Sequence, residues 1–277
     1  MRILIRTSRW ATWARRLGSV AVPLVITSVG LHWLRLITSD LFVVVALAAG
    51  AVALLAVLAA LIALARLWQT GDQGWGRALA GLSLGAISLL PYAWYGNLLL
   101  RYPAVTDIAT TDRGLMPLIF EPGTQAMPPP KMLSAAEMAA TFPNVETRNY
   151  PLGLVPTFGL IRAMVDDRGW DVKLVREPAP EAEFGQLNAQ IVTIPGWREE
   201  AVIRVTGNLT TSVVDMRSAS LNAQHDFGSN GTRIEEFLTA LDEAVTTLLR
   251  DNPNANQPIE AEPEAAPVAT GDEADAE

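Results

Sequence analysis

Six polar residues, among them two arginines and two serines, lie close together in the last quarter of the chain. Arginine and serine side chains donate hydrogen bonds to phosphate or carboxylate oxygens. An apolar helical pattern begins directly after these residues, and the first N–H groups of a helix are unpaired and partly positive. The six residues are Arg217, Ser218, Ser220, Asp226, Asn230 and Arg233. Their types and position predict a binding site for an anionic ligand at a helix N-terminus.

The same residues also have a structural interpretation, which we favour. Asp226 can pair with an arginine, and Asn230 can order the loop that leads into the helix. In that arrangement the polar groups satisfy one another without a ligand. The two interpretations differ in what a substitution of Arg233 does, because only the loss of a structural partner destabilises the fold.

Catalytic chemistry has one candidate in the same loop. His225 is the only histidine outside the apolar N-terminal region, so a Ser–His–Asp arrangement would use Ser218 or Ser220 with His225 and Asp226. No G-x-S-x-G segment surrounds either serine. We therefore expect no catalytic residues and keep a membrane-anchored, hydrolase-like enzyme as the alternative.

The amino-acid composition excludes several further classes of functional site. The 277 residues include no cysteine, which excludes a disulfide scaffold, a thiol nucleophile, an iron–sulfur cluster and cysteine-ligated zinc. One histidine among scattered carboxylates has no metal-ligand spacing, so we predict no metal and no cofactor. The net charge of −8, with 27 acidic and 13 basic residues in 101–277, predicts no nucleic-acid partner.

The first 100 residues are predicted to form a membrane domain with three transmembrane helices, at about 17–37, 41–65 and 78–100. The middle stretch has 25 residues without a charge or a proline. As a helix it is about 37 Å long, which exceeds a hydrocarbon core of about 30 Å. The lipid bilayer is therefore a predicted partner. No small-residue cleavage site follows the first stretch, so we expect it to stay attached rather than act as a signal peptide.

Two small patterns within these stretches carry further hypotheses. His32 and Arg35 are three residues apart, so we expect them to share a helical face at the membrane interface. Snorkelling to the headgroups is the preferred role for this pair, and a lipid-headgroup contact or a proton relay is the alternative. Gly81 and Gly85 form a G-x-x-x-G pattern, which predicts close helix packing within the bundle rather than between two copies.

The arginines predict the orientation of the chain. Five arginines precede the first stretch, and Arg66 and Arg77 flank the loop between the second and third stretches. Since cytoplasmic loops hold an excess of basic residues, the N-terminus is expected in the cytoplasm. Everything after Leu100 then lies outside the cytoplasm, which in a Gram-negative host is the periplasmic side of the inner membrane.

The remainder of the chain divides into three predicted parts. Residues 101–133 contain repeated prolines and are expected to be an irregular tether. Residues 134–250 combine alternating strand patterns with helical ones, including a final helix with a capping box of Thr232 and Glu235. Residues 251–277 are acidic, proline-rich and expected to be disordered. The middle part predicts a small α+β domain, an antiparallel sheet with helices packed on one face.

Three ordered segments give the chain a resemblance to a known family. They are Asp107-Ile-Ala-Thr-Thr-Asp112 followed by Pro117 and Phe120, then Asp215-Met-Arg217-Ser218-Ala-Ser220, and then Asp226-x-Gly228-x-Asn230-x-x-Arg233-Ile234. The chain resembles the domain-of-unknown-function family 1499, whose members share these segments and often have several N-terminal spans. Leu221 stands where the family pattern has the second arginine of R-S-x-S-R. The resemblance implies no established activity, substrate or cofactor.

Taken together, these patterns predict an integral membrane protein of the cell envelope. Its outer α+β domain is expected to be non-enzymatic and to bind an envelope protein partner or an anionic ligand. The transmembrane helices are expected to hold that domain at the membrane.

Overall fold

The computed structural model describes residues 6–119, 131, 133–178, 183–253 and 255. Most of the predicted disordered tail lies outside the described residues. So do Phe120 of the family pattern and several of the prolines predicted to form the tether.

Three long helices form the N-terminal part of the molecule and pack against one another. They are α1 (Arg9–Trp33), α2 (Ser39–Thr70) and α3 (Trp75–Arg101). All three are long and apolar enough to cross a membrane. Buried alanines dominate their contact surfaces, whereas leucine, isoleucine and valine side chains cover much of their outward faces. Small residues inside and large apolar residues outside are typical of helices that pack in lipid.

The first helix ends earlier than the apolar pattern predicts. Leu34 caps α1, and Arg35 has a φ of +61°, so the chain turns at this point instead of continuing the helix to residue 37. His32 and Arg35 therefore do not share a helical face, and the prediction that they do is wrong. Thr38 then caps α2 by accepting a hydrogen bond from the N–H of Leu41.

The glycines of α3 pack within this bundle. A Cβ atom at Gly81 would lie 2.4 Å from the backbone carbon of Ala14 in α1, and one at Gly85 would lie 2.9 Å from Val57 in α2. Both glycines therefore allow α3 to approach its two neighbours, as the G-x-x-x-G pattern predicts for packing inside one chain.

We expect Gly81→Ala to destabilise the bundle by about 1–3 kcal/mol, because the added methyl group meets backbone atoms that cannot move independently. Gly96→Ala is the matched control on the same helix, since no described atom beyond the local backbone of α3 lies within 4 Å of its added Cβ. The control should be neutral or stabilising by up to about 1 kcal/mol. Thermal unfolding of the full chain in detergent measures both, and an equal effect of the two substitutions would contradict close packing at Gly81.

The C-terminal part is an α+β domain built on a six-stranded sheet in which every pairing is antiparallel. The strand order is β1-β6-β5-β4-β3, and β2 also pairs with β6. The strands are β1 (Asp107–Ala109), β2 (Arg148–Tyr150), β3 (Asp171–Arg176), β4 (Phe184–Val192), β5 (Arg198–Gly207) and β6 (Ser212–Leu221). The helices are α4 (Ala135–Thr141), α5 (Leu154–Asp167) and α6 (Ser229–Asp251). The predicted α+β class is confirmed.

One apolar core joins the sheet to α5 and α6. Residues that alternate along β5 and β6, such as Ile203 and Met216, are fully buried against Ile161 of α5 and Phe237 of α6. The period-2 pattern of the strands and the 3.6-residue pattern of the helices both point to this core. The opposite face of the sheet is polar, with buried Asn188 and other polar side chains.

The segment predicted to be an irregular tether is in part built into the domain. β1 pairs with the C-terminal half of β6, and Val105, Ile108 and Met116 are buried. The chain then crosses the polar face of the sheet, where the N–H of Ile119 donates to Glu200 at 2.9 Å. The prediction overlooked this strand because three residues are too few to show an alternating pattern.

The last helix begins earlier than predicted. α6 starts at Ser229 after Gly228, which has a φ of +82°, and no side chain caps it. The predicted capping box of Thr232 and Glu235 is therefore wrong. Glu235 instead accepts a hydrogen bond from the N–H of Asn144, at 2.9 Å, and so holds a neighbouring loop against the helix.

Candidate functional site

Five of the six residues predicted to bind an anion meet where β6 ends and α6 begins. Ser218 and Ser220 point from β6 toward the helix, and Asn230 lies in the first turn of α6. The Oγ of Ser218 donates to Oδ1 of Asn230 at 2.8 Å. The Nδ2 of Asn230 donates to Ser220 Oγ and to Asp226 Oδ2, each at 2.9 Å. Asn230 is fully buried, so these bonds form a closed network inside the domain.

Glu199 on β5 completes this network, and the sequence analysis did not identify it. Its carboxylate forms an ion pair with Arg233 and accepts hydrogen bonds from Ser220 and Ser229. Only 2% of the Glu199 side chain is exposed. The carboxylate therefore receives Arg233 and Ser220, two of the donors that were predicted to hold a bound anion. The signal was available, since Glu199 alternates with the buried Ala201 and Ile203 on the core face of β5.

Asp226 is satisfied without an arginine, so the predicted pairing of these two groups is wrong. Its Oδ1 accepts from the N–H of Gly228 at 2.9 Å, and its Oδ2 accepts from Asn230. Burial raises the pKa of the Asp226 carboxyl to about 6, although these hydrogen bonds work in the opposite direction.

This raised pKa predicts a pH-dependent stability. The ordinary pKa of aspartate is about 3.9, so the folded chain holds this proton more tightly than the unfolded chain. The contribution of Asp226 to stability is fully present below about pH 4 and is lost as the pH rises through about 6. Relative to Asp226→Asn, the full chain should lose up to about 3 kcal/mol between these values. Unfolding of both proteins from pH 4 to pH 7 measures this difference, and parallel curves would contradict it.

Arg217 lies apart from the other five residues, on the polar face of the sheet. Its guanidinium forms two hydrogen bonds with Asp107 of β1, Nε to Oδ1 at 3.1 Å and Nη2 to Oδ2 at 2.6 Å. A third bond runs from Nη1 to the carbonyl of Met116 at 2.8 Å. Arg217 therefore holds β1 and the segment after it against the sheet.

The residues of the hydrolase alternative do not form a relay within the described part of the chain. The Nδ1 of His225 accepts from the N–H of Phe227 at 2.8 Å, and the ring stacks on Phe227. Ser218 and Ser220 bond to Asn230 and Glu199 instead. No hydrogen bond between the described residues joins His225 to either serine.

A second polar site lies where the α+β domain meets the helices. The hairpin between β4 and β5 rests on the end of the bundle that holds the turn between α1 and α2. Nδ1 of His32 lies 2.6 Å from the carbonyl oxygen of Pro195, and because a carbonyl only accepts, Nδ1 carries the proton. Nε2 lies 3.2 Å from Ser39 Oγ. His32, which was predicted to lie at the membrane interface, joins the helices to the domain.

Aromatic side chains extend this contact. Phe42 stacks on His32 with ring centroids 4.3 Å apart and meets Trp197 of the hairpin edge to face. Trp197 stacks on Phe227 of the loop before α6, and Tyr95 of α3 contacts both rings. The domain is thus packed on all three helices rather than hanging from a flexible tether.

Two cavities flank this contact. The first, here called the junction recess, has a volume of about 550 Å³, and its lining includes His32, Arg35, Ser39, Asp40, Arg198 and Gln224. The Nε of Arg198 is buried and has no hydrogen-bond partner among the described residues. The second, here called the apolar cleft, has a volume of about 320 Å³, and its lining includes Val29, Phe42, Val43, Leu47, Tyr95 and Trp197.

Comparison with known proteins supports the family resemblance. The family model described as Protein of unknown function (DUF1499) matches residues 124–241, which cover most of the α+β domain and none of the three helices. The resemblance based on the three sequence segments is confirmed. No curated protein and no solved structure matches the chain.

Proposed function

We propose that this chain, whose C-terminal domain matches the DUF1499 family model, is a non-enzymatic envelope protein that binds an anionic ligand in the junction recess. The observation that carries the proposal is the charge and shape of that recess. Two guanidinium groups, of Arg35 and Arg198, and one carboxylate, of Asp40, line a concave space between the helices and the domain. Ligand sites are typically concave, with a few polar groups that converge on the ligand.

The network at the start of α6 is a poorer choice for the anion. There Glu199 already neutralises Arg233, and a second anion would meet a buried carboxylate. In the recess, Arg198 has a buried Nε without a partner among the described residues, and Leu221 and the turn after β6 line the same recess. In the β5–β6 pairing, Arg198 lies opposite Leu221. Leu221 stands at the position where the family pattern has its second arginine.

The proposal includes the orientation expected from the arginines. Arg66 and Arg77 lie near the end of the bundle opposite the domain, where α2 ends and α3 begins. An excess of basic residues on that side supports a cytoplasmic N-terminus and a periplasmic domain in an inner membrane. Alkaline phosphatase fused after Arg250 should then be active. An inactive fusion would indicate the opposite orientation, with the domain in the cytoplasm.

Stabilisation by phosphate tests the anion site. At a phosphate concentration ten times its Kd, we expect the melting temperature of the full chain in detergent to rise by about 2–5 °C, because the ligand binds only the folded state. Arg198→Gln should abolish the rise. Arg250→Gln is the matched control, since it removes the same charge from an exposed side chain. Sodium chloride at equal ionic strength corrects for general salt effects, and equal responses of both variants would contradict the proposal.

A further inference from the structure

The junction recess and the apolar cleft are neighbours that share one wall. His32 lines the recess, and its ring stacks on Phe42, which lines the cleft. The imidazole also bonds to the carbonyl of Pro195, another residue of the cleft. A polar cavity and an apolar cavity are therefore separated by little more than one stack of side chains.

The apolar cleft lies between helices that are long enough to cross a membrane. Its lining includes Val29 of α1, Val43 and Leu47 of α2, Tyr95 of α3 and Trp197 of the hairpin. Among the residues that the structure describes, the lining contains no Asp, Glu, Lys or Arg side chain. An apolar ligand group would be held here by van der Waals contacts with the lining rather than by transfer out of water, because lipid tails are as apolar as these side chains. An acyl chain has this chemistry, and the bilayer presents such chains at the same helix surfaces.

The junction recess lies one helix turn further along, at the bend between α1 and α2. Arg35 and Asp40 come from this bend, and Arg198 comes from the domain above it. Two cationic side chains against one anionic side chain favour a ligand with negative charge, and guanidinium groups match phosphate oxygens in geometry. This is the level at which a lipid headgroup would lie if the helices cross the bilayer.

We propose that the junction binds one glycerophospholipid, with its phosphate in the junction recess and one acyl chain in the apolar cleft. The proposal rests on the proposed function, because it names the ligand of the same recess. A small soluble anion would fill the recess and leave the cleft unused, whereas a phospholipid carries both chemistries in one molecule. The shared wall of His32 and Phe42 would then lie beside the glycerol region of the lipid.

Native mass spectrometry of the full chain, titrated with phosphatidylglycerol, tests this proposal. We expect one bound lipid per chain. Val29→Phe fills the cleft, and Arg198→Gln removes a donor from the recess, so each should weaken binding at least tenfold. Ile26→Phe is the matched control for the cleft, because it adds a similar bulk to the same helix at a side chain that is exposed and lies outside the cleft. Arg250→Gln is the control for the recess.

Melting temperatures with glycerol phosphate form the second arm. This soluble headgroup should stabilise the wild type and Val29→Phe, but not Arg198→Gln. If lipid binding by Val29→Phe equals that by Ile26→Phe while glycerol phosphate still acts through Arg198, the lipid proposal is overturned and the anion site stands. If the binding of neither phosphatidylglycerol nor glycerol phosphate depends on Arg198, both the lipid proposal and the proposed anion site are contradicted.

Native mass spectrometry also covers two further outcomes, namely a Val29→Phe variant that does not fold and a bound molecule that is not a lipid. If Val29→Phe does not fold, the comparison moves to α2, where Val43→Phe enters the cleft and Val44→Phe does not. The same tenfold difference is expected there, and its absence would overturn the proposal. A co-purified mass that matches a polypeptide in place of a lipid would also overturn it.

Discussion

Arg233→Gln should lower the free energy of unfolding by about 3–5 kcal/mol, the typical cost of removing one partner from a buried ion pair. The substitution leaves the carboxylate of Glu199, whose side chain is 2% exposed, without its cation. It also removes a donor to the Oγ of Ser218. Glu199→Gln should destabilise by a similar amount, because the guanidinium of Arg233 is only 13% exposed. Denaturant unfolding of the full chain in detergent measures both effects.

The double variant and a surface control make this prediction specific. Arg233→Gln with Glu199→Gln should cost less than the sum of the single substitutions, because the second change removes the charge that the first leaves unpaired. Arg250→Gln disrupts an exposed pair with Asp251 and should cost at most about 1 kcal/mol. If Arg233→Gln is as mild as this control, and phosphate stabilises the wild type but not the variant, the arginine holds a ligand and the structural interpretation fails.

Gly196→Ala should have the second large effect, at the contact between the domain and the helices. Gly196 has a φ of +94°, and an added Cβ would lie 2.8 Å from the backbone nitrogen of Trp33. Left-handed backbone costs a residue with a side chain about 1–2 kcal/mol, and contact with a fixed backbone adds about 1–3 kcal/mol. The hairpin should therefore move away from α1, which breaks the hydrogen bond of His32 to Pro195.

Gly169→Ala is the matched control for this substitution. Gly169 also has a positive φ, of +64°, but apart from its two chain neighbours no described residue has an atom within 4 Å of its added Cβ. The control should show the cost of the backbone conformation alone. Limited proteolysis within 193–197 should be faster in Gly196→Ala than in Gly169→Ala. Equal cleavage rates would show that the hairpin does not need its close approach to Trp33.

The longer elements of this fold follow from hydrophobic patterns in the sequence. Long apolar stretches predict α1, α2 and α3, and strand-like runs of residues predict the long strands β4, β5 and β6. Strands β1 and β2 have three residues each and carry no such signal. They form because the edge of β6 offers backbone partners, and that edge exists only in the folded sheet.

The sites depend more strongly on tertiary structure. The sequence predicts that Ser218, Asn230 and Arg233 gather at the start of α6, because all three lie near one strand-to-helix connection. Glu199 joins them only through the register in which it pairs with Ser220 of β6. His32 and Pro195 are in contact but lie 163 residues apart in the sequence, so no local sequence pattern predicts this contact.

We infer that the domain is fixed on the helices, so that residues of both form one binding site at the junction. Spin labels test it directly, since the chain has no native cysteine to remove. One label replaces Leu36 in the turn between α1 and α2, and the other replaces Leu209 in the turn between β5 and β6, where the side chains are 67% and 74% exposed. A control pair at Asp171 and Leu209 lies within the domain.

Pulsed dipolar spectroscopy of the full chain in nanodiscs gives the distance distribution of each pair. A docked domain predicts a single narrow distribution across the junction, as narrow as that of the control pair and centred on the distance in the structure. A distribution several times broader than the control would show a domain that moves freely on a tether, and would contradict the junction as a binding site.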